Sequence, residues 1–398
     1  MGTFTRLMLA AILAALVAFT ASGCAGVRPA SQSAHELFAD ASFQPPSSPA
    51  SSADLFTLSP AMRAYLRSAR FAALLRTHGQ ERGLVEALYR TGELQLDYDA
   101  SVTRNAADTY DLRTGNCLSL VIMTAAFAKE LGMPVQYNDV DVEQLWSRSG
   151  GMYFANTHVN LTLGRLASPG LGTAGSSRAL TVDFIPSADS ASLHLRPIGE
   201  DTIRAMYMNN RAAELLAENK FDEAYWWARN LLAAHPDHLN GYNTLGVVYQ
   251  RSGRFAMAEK VFRAGLVREP ENTHLMNNLI PTLAGLGKGA EAAALKAKLA
   301  SIDPTPPFHY FRKGQSAMVR GDYREAKTMF AKEVRRSPLY HEFHFWLAMA
   351  QLGLGERSAA REQLHLAMET SNTKELSRRY SAKLEHLRAS VRRPFAMN

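Results

Sequence analysis

Residues 239–272 read LNGYNTLGVVYQRSGRFAMAEKVFRAGLVREPEN and form one period of a pattern that recurs along the second half of the chain. The same residue types return every 34 positions. The recurrence is clearest in four prolines and five alanines: Pro236, Pro270, Pro304 and Pro338, and Ala224, Ala258, Ala292, Ala326 and Ala360. A fixed period of about 20 to 50 residues is typical of a solenoid, in which each unit packs only against its neighbours.

Each period predicts two antiparallel helices. Small residues such as Gly246 and Gly314 let the helices approach closely, and the closing proline ends the second helix. This combination resembles the tetratricopeptide repeat. Its phase predicts five repeats over residues 201–374, followed by a capping helix and tail over 375–398. The repeats begin near Ala205, Leu239, Thr273, Pro307 and His341.

The resemblance implies a concave groove that the fifth residue of each repeat faces. Those five residues are Asn209, Asn243, Asn277, Phe311 and Phe345. Asparagines in a row can hydrogen-bond the backbone of an extended peptide, and phenylalanines can accept its apolar side chains, which predicts a partner protein in the groove. In an equally weighted alternative, the asparagines only tie neighbouring repeats together.

The chain has 398 residues, 46% of them hydrophobic and 20% charged, which is a globular composition long enough for two domains. Two cysteines are too few for a disulfide scaffold. The net charge is −2 over residues 1–200 and +9 over residues 201–398. The basic half favours anionic protein or envelope-polymer partners, and the absence of any nucleic-acid-binding motif argues against nucleic acid.

The N-terminus predicts an export signal over residues 1–23. Arg6 precedes an apolar run over residues 7–19, and small residues then lead to Cys24. At about 1.5 Å per residue this run is too short to cross a hydrocarbon core of about 30 Å. The cysteine after Ala-Ser-Gly resembles a bacterial lipobox, which implies cleavage before Cys24, its lipidation, and attachment to a membrane facing the periplasm. Ala25 after the anchor favours the outer membrane; the alternative is an ordinary signal peptide.

The Ser-, Pro- and Ala-rich residues 24–58 are expected to form a flexible tether. Helices are predicted beyond it, beginning after Ser59. The stretch DLRTGNCLSLVIMTAAFAKELG, residues 111–132, predicts a buried helix with Cys117 in its first turn and Gly132 as its stop. Unpaired backbone N–H groups at such a helix start favour a thiolate and can hold an oxyanion when the sulfur attacks a carbonyl.

Beyond this helix, alternating apolar residues predict strands over residues 134–142, 152–163 and 179–185. His158 lies in the second strand and Asp183 in the third. A cysteine at a helix start followed by histidine and aspartate on strands resembles the transglutaminase-like, papain-related cysteine enzymes, with a match over residues 105–190. The resemblance implies that Cys117 is the nucleophile, His158 the general base, and Asp183 the residue that holds the imidazole.

The fold class is therefore expected to be α+β: a papain/transglutaminase-like domain over residues 59–200, followed by an all-α tetratricopeptide-repeat solenoid. The sequence departs from the family at two points. Leu118 stands where an aromatic residue is frequent, and the upstream oxyanion side chain of many relatives is not identified, so that Asn116 next to the cysteine is a candidate.

Other interpretations of the three residues stay open. Cys117 can be a small buried apolar side chain, His158 a hydrogen-bonded strand histidine, and Asp183 a solvated carboxylate. His194 competes with His158 for the role of base. Asp139 and Asp141 are weaker competitors for the carboxylate because they precede the histidine.

No cofactor and no metal are expected, because no cluster of His, Cys and Glu has the spacing of metal ligands. The histidine pairs in the repeats, His235 with His238 and His341 with His344, are expected to be exposed.

These features predict a membrane-anchored periplasmic cysteine hydrolase or acyltransferase that acts on amide bonds of a protein or peptide, with the repeats recruiting the substrate or a partner. The alternative is a non-catalytic envelope scaffold that binds partners through the repeat groove.

Overall fold

The computed structural model describes residues 34–89, 93–94, 96–100, 102–149, 152–164, 179–184, 194–371 and 373–391. The predicted signal sequence and Cys24 lie outside the described residues. The chain divides into two units, residues 1–38 and 39–398. A 3-10 helix over Ala34–Leu37 is described in the first unit, and the second contains all of the elements below.

The amino-terminal half of the second unit combines short helices with two sheets. The helices are α1 (Pro60–Leu66), α2 (Ala69–His78), α3 (Gln80–Tyr89), α4 (Ala106–Leu112) and α5 (Cys117–Glu130). The strands are β1 (Asp97–Tyr98), β2 (Thr114–Gly115), β3 (Val135–Ser149), β4 (Met152–Leu163), β5 (Leu180–Val182) and β6 (His194–Ile198). Strands β1 and β2 pair in parallel, and the other four form an antiparallel sheet in the order β5-β4-β3-β6.

Helix α5 is the central element of this half. It is apolar nearly all round, and eleven of its residues, from Leu118 to Ala128, are buried. Such a helix must be covered on every side, and it packs between the helical layer and the large sheet. Gly132 follows it with φ +70°, a conformation that glycine adopts without steric cost and that ends the helix where the sequence predicts.

The carboxy-terminal half is a series of antiparallel helix pairs with a final helix. The pairs are α6 (Glu200–Ala217) with α7 (Phe221–Ala234), α8 (Leu239–Arg251) with α9 (Phe255–Arg268), α10 (Thr273–Gly285) with α11 (Gly289–Ile302), α12 (His309–Val319) with α13 (Tyr323–Arg336), and α14 (His341–Gly353) with α15 (Arg357–Glu369). The last helix is α16 (Lys374–Val391). The second helix of every pair begins on the 34-residue ladder, so the period of the sequence is the period of the fold.

Glycine lets the two helices of a pair approach. A Cβ atom on Gly246 of α8 would lie 2.3 Å from the Phe262 ring of α9, and one on Gly314 of α12 would lie 2.6 Å from the Phe330 ring of α13. Both rings are fully buried. The aromatic side chain of the second helix therefore occupies the space that the glycine of the first helix leaves open.

The core of the amino-terminal half continues into the first repeat. Leu118 and Phe127 of α5 belong to the same buried cluster as Ile203 and Met208 of α6 and Leu231 of α7. The expected boundary between residues 200 and 201 is therefore a change of architecture but not a break in packing.

Residues 39–58, the described part of the expected flexible tether in this unit, are anchored on the first repeat rather than free. The Phe43 ring stacks on Tyr225 with centroids 4.0 Å apart, and the indole N–H of Trp226 donates to the Gln44 carbonyl at 2.6 Å. Further along, Asn230 donates to the Ala50 carbonyl at 3.0 Å. The flexible expectation rested on Ser and Pro content; it is wrong here because the segment contains an aromatic residue that the repeat buries.

Candidate active site

Cys117 is the first residue of α5. The preceding Asn116 caps this helix: its side-chain oxygen accepts the backbone N–H of Ser119 at 2.9 Å and the Ser119 hydroxyl at 2.8 Å. The cap fixes the first turn of α5, where the positive end of the helix dipole acts. The Cys117 thiol is free and half-buried at that position. It is therefore not sealed in apolar packing.

His158 and Asp183 come together on adjacent strands of the large sheet. Strand β4 carries His158, and the pairing of Leu161 with Val182 in β5 brings the next residue, Asp183, alongside it. The imidazole Nε2 lies 2.8 Å and 2.9 Å from the two carboxylate oxygens. Because a carboxylate only accepts, Nε2 carries a proton and donates it, which fixes the orientation of the ring.

The carboxylate has a second partner that the sequence analysis missed. The Asn160 amide donates to Asp183 Oδ2 at 3.1 Å, while its own carbonyl oxygen accepts from Asn138 at 3.0 Å. Both asparagines are buried. Asn160 stands two residues after His158 and therefore lies on the same face of β4. This spacing was the one feature of the sequence that could have indicated a role for Asn160 beside His158.

The His158 imidazole also interacts with Cys117. His158 is 3% exposed, and burial alone would lower its pKa. Hydrogen bonding and charge interactions with Asp183 and with Cys117 outweigh burial and raise the pKa of His158 to about 9. Nδ1, the nitrogen not held by Asp183, is buried and makes no hydrogen bond of regular geometry among the described residues. The imidazole thus interacts with both an acid, through Nε2, and the Cys117 thiol, and such catalytic contacts often tighten only when substrate binds.

Tyr98 is a further residue at this site that the sequence analysis missed. The pairing of β1 with β2 places it opposite Gly115, two residues before Cys117. The Cys117 backbone N–H donates to the Tyr98 hydroxyl, and burial, together with the nearby Cys117 sulfur, raises the pKa of Tyr98. A protonated phenol therefore lies next to the sulfur, where a donor to an oxyanion is needed. Nothing in the sequence marks Tyr98, because its position depends on a pairing of only two residues per strand.

Asn116, in contrast, is not available as the oxyanion side chain. Its oxygen is used by the helix cap, and its amide nitrogen donates to Thr103 at 2.8 Å in a buried contact. The expectation rested on adjacency to Cys117, but the best use of an asparagine directly before a helix is to cap it.

The competing residues lie elsewhere in the sheet. His194 is exposed and pairs with Asp141 in the ladder of the edge strand β6, which β3 separates from the strand of His158. The Asp139 carboxylate forms an ion pair with Arg196 of the same edge strand. The geometry therefore favours His158 and Asp183, which contact each other directly.

The five predicted groove residues divide into four kinds. Asn209 and Asn243 tie neighbouring repeats together, accepting from Thr244 at 2.7 Å and from Asn278 at 2.8 Å, as in the alternative interpretation. Asn277 is exposed and donates to the Thr273 carbonyl of its own helix. Phe345 is half-buried against Tyr380 of α16.

Phe311 is fully buried among Phe330 and Phe343, so it cannot accept a partner's side chain. The expectation that Phe311 faces the groove is wrong because its ring packs in the core of the solenoid, against Phe330 and Phe343.

The expectation that the repeat histidines are exposed is also wrong. His235 and His238 are half-buried. His341 and His344 are buried. His341 Nδ1 lies 2.7 Å from the Tyr380 hydroxyl, and His344 contacts Gln363 and the Pro338 carbonyl. Burial, with the neighbouring His344, lowers the pKa of His341 to about 4. These histidines are therefore structural, and the described residues contain no group of three potential metal ligands.

No helix in the described part of the chain is both long and apolar enough to cross a membrane.

Comparison with known proteins identifies the repeats. The tetratricopeptide repeat family model matches residues 311–369. Human tetratricopeptide repeat protein 7B is 29% identical over 108 residues, which are 26% of this chain and 12% of the relative. The uncharacterized protein y4yS of Sinorhizobium fredii (strain NBRC 101917 / NGR234) is 34% identical over 77 residues, 19% of this chain and 42% of the relative. The chain thus matches less than half the length of either relative.

Similar solved structures include YrrB, described as a TPR protein with an unusual peptide-binding site, at 20% identity and a TM-score of 0.25 over 45% of this chain and 92% of that one. TTC0263 of Thermus thermophilus, a thermophilic TPR protein, is 16% identical with a TM-score of 0.30 over 46% of this chain and 99% of that one.

From the family match and the helix pairs, the second half of this chain is a helical solenoid of tetratricopeptide repeats. Such solenoids present extended surfaces that bind partner proteins or peptides.

Proposed function

We propose that this chain is a partner-binding tetratricopeptide-repeat protein whose amino-terminal half is a transglutaminase-like cysteine enzyme acting on amide bonds of a protein or peptide. One observation carries the catalytic part: a buried imidazole holds Asp183 with one nitrogen, while the helix-start thiol of Cys117 interacts with the same ring. A histidine that serves only to stabilise a strand does not need to interact with both an acid and a thiol.

The proposed reaction is acyl transfer through a thioester. Because the pKa of His158 is raised to about 9, the proton it shares with the Cys117 thiol lies on the imidazole at neutral pH, and the sulfur attacks the carbonyl carbon of the amide. Tyr98 stabilises the oxyanion, the carbon–nitrogen bond breaks, and the leaving amine receives the proton from His158. The acyl group then passes to water, which gives a carboxylic acid, or to an amine, which gives a new amide. Asp183 remains ionised throughout and holds the imidazolium.

The proposed location follows from the N-terminal sequence. Lipidation of Cys24 would hold the protein on a bacterial membrane, preferably the outer membrane, with residues 39–398 facing the periplasm. Cys117 would then be the sole thiol of the mature chain in an oxidising compartment.

The catalytic proposal is tested by alkylation of the full chain with iodoacetamide between pH 5 and 10, followed at Cys117 by peptide-resolved mass spectrometry. We expect the midpoint of the rate profile to lie below about 8.5, the value of a free cysteine, and to move upward in His158→Ala. The matched control is His194→Ala, an exposed histidine of the same sheet. A profile with its midpoint near that of a free cysteine and equal in wild type and His158→Ala would contradict an activated nucleophile.

A second candidate is the non-catalytic envelope scaffold, and the comparisons favour it because the family model matches only the repeats. The two candidates differ in which variant fails in cells. The scaffold predicts that Cys117→Ala retains every phenotype while a change at the exposed Asn277 does not. The enzyme predicts that Cys117→Ala has the phenotype of a deletion although the protein accumulates normally.

A further inference from the structure

A chain of buried and partly buried hydrogen bonds joins the start of α5 to the first helix of the solenoid. Its central residue is Thr103, which is 2% exposed. The Thr103 hydroxyl oxygen accepts the side-chain amide of Asn116 at 2.8 Å and that of Asn210 in α6 at 3.2 Å. The Thr103 backbone N–H donates to Glu214 Oε1 of α6 at 2.7 Å.

The loop around Thr103 is also held from the other side. The backbone N–H of Arg104 donates to the Ser119 hydroxyl at 2.9 Å, and that hydroxyl donates to Asn116. Two successive backbone groups of the loop are therefore attached, one to helix α6 and one to the first turn of α5. A displacement of α6 must then move the cap next to Cys117 or break a buried hydrogen bond.

Glu214 occupies an unusual place for a carboxylate. Burial raises its pKa, while Arg211 and the hydrogen bond with Thr103 act in the opposite direction. Arg211, one turn earlier on α6, pairs with its second oxygen. Burying a carboxylate costs free energy of folding even when one backbone N–H and one arginine hydrogen-bond it. Its presence here therefore indicates that the contact with Thr103 has a role.

We propose that Glu214 and Asn210 are positioning residues of the active site: through Thr103 they orient Asn116 and thereby the first turn of α5, from which Cys117 projects. This inference rests on the proposed function and adds that the first solenoid helix is part of the catalytic machinery. The solenoid would then do more than recruit a partner, because its first helix sets the orientation of the nucleophile.

The experiment uses the full chain and two variants of one residue. Thr103→Val keeps the shape and removes the hydroxyl, and Thr103→Ser restores it. In the Cys117 alkylation profile we expect Thr103→Val to lower the rate at pH 7 by about threefold to tenfold, the usual effect of one lost hydrogen bond, and to move the midpoint upward. Thr103→Ser is expected to return both to the wild-type values. Glu214→Gln should shift the profile in the same direction, whereas Glu218→Gln, an exposed acid at the end of α6, should not.

Two measurements separate this inference from the proposed function. Hydrogen exchange of the Ser119 amide reports the cap itself, and we expect faster exchange in Thr103→Val but not in Thr103→Ser. If His158→Ala leaves the alkylation profile unchanged, the proposed function fails. The exchange rate of the Ser119 amide would still show whether Thr103 holds the cap of α5 in place. Two results would overturn the positioning role of Glu214 and Asn210. One is an alkylation profile of Thr103→Val equal to that of the wild type while His158→Ala still changes the profile. The other is an equal effect of Thr103→Val and Thr103→Ser.

Discussion

At the scale of single residues, the protonation of His158 is the property on which the site depends. Its pKa, raised to about 9 by Asp183 and Cys117 against the effect of burial, lies above the value of about 6.5 for an unfolded chain. The folded state therefore binds the proton more tightly. This stabilisation is fully present below about pH 6.5 and is lost as the pH rises to about 9.

We expect Asp183→Asn to lower the pKa of His158 strongly, because burial then acts without the opposing carboxylate. The imidazole Cε1–H resonance, followed by NMR between pH 5 and 10, measures this directly. Denaturant unfolding at pH 6.5 and 9 should show a smaller loss of stability with rising pH in the variant than in the wild type. An unchanged titration in Asp183→Asn would mean that the carboxylate does not set the charge of the ring.

Order along the chain was enough to predict which titratable residues belong together, since a cysteine at a helix start and two residues on successive strands must lie near one sheet edge. It could not predict Tyr98 or Asn160, whose roles depend on the pairing of particular strands. Asn116 was misjudged because capping and oxyanion binding both suit an asparagine at that position, and only the direction of its side chain separates them.

At the scale of elements, the 34-residue period predicted the solenoid helices closely, because each proline and each small residue has one place in a helix pair. The same period could not show that Phe311 is buried. Position in a repeat indicates a face, but the neighbouring side chains decide whether that face is open. The prediction of a flexible tether was wrong for a similar reason. Composition indicates whether a segment is polar, but it does not show that Phe43 stacks on the Tyr225 ring.

The close approach of the helices within a repeat gives a second prediction. Gly246→Ala inserts a methyl group against the buried Phe262 ring, so we expect a loss of roughly 1 to 3 kcal/mol in the free energy of unfolding. The matched control is Gly289→Ala at the start of α11, where no atom lies within 4 Å of the added Cβ. This control should be neutral or slightly stabilising, since alanine favours a helix over glycine. Equal thermal midpoints for both variants would contradict the proposed packing.

At the scale of the whole molecule, the two halves are expected to fold together. Burying apolar surface is the main stabilising contribution, and the core around α5 uses Ile203, Met208 and Leu231 from the first repeat. A fragment that ends at residue 199 would expose the face of α5 that these residues cover. It would also lose both α6 partners of Thr103.

We therefore expect residues 39–199 to lack a cooperative thermal transition and to bind a hydrophobic dye, as partly folded proteins do. Residues 39–272, which end after the second repeat, should unfold cooperatively because they keep the complete core. Calorimetry and near-ultraviolet circular dichroism on the two fragments make the comparison. If the shorter fragment unfolded cooperatively near the midpoint of the longer one, the amino-terminal half would be an independent domain. Residues 200–231 would then contribute little to its stability, and the first repeat could not be needed to hold the nucleophile in place.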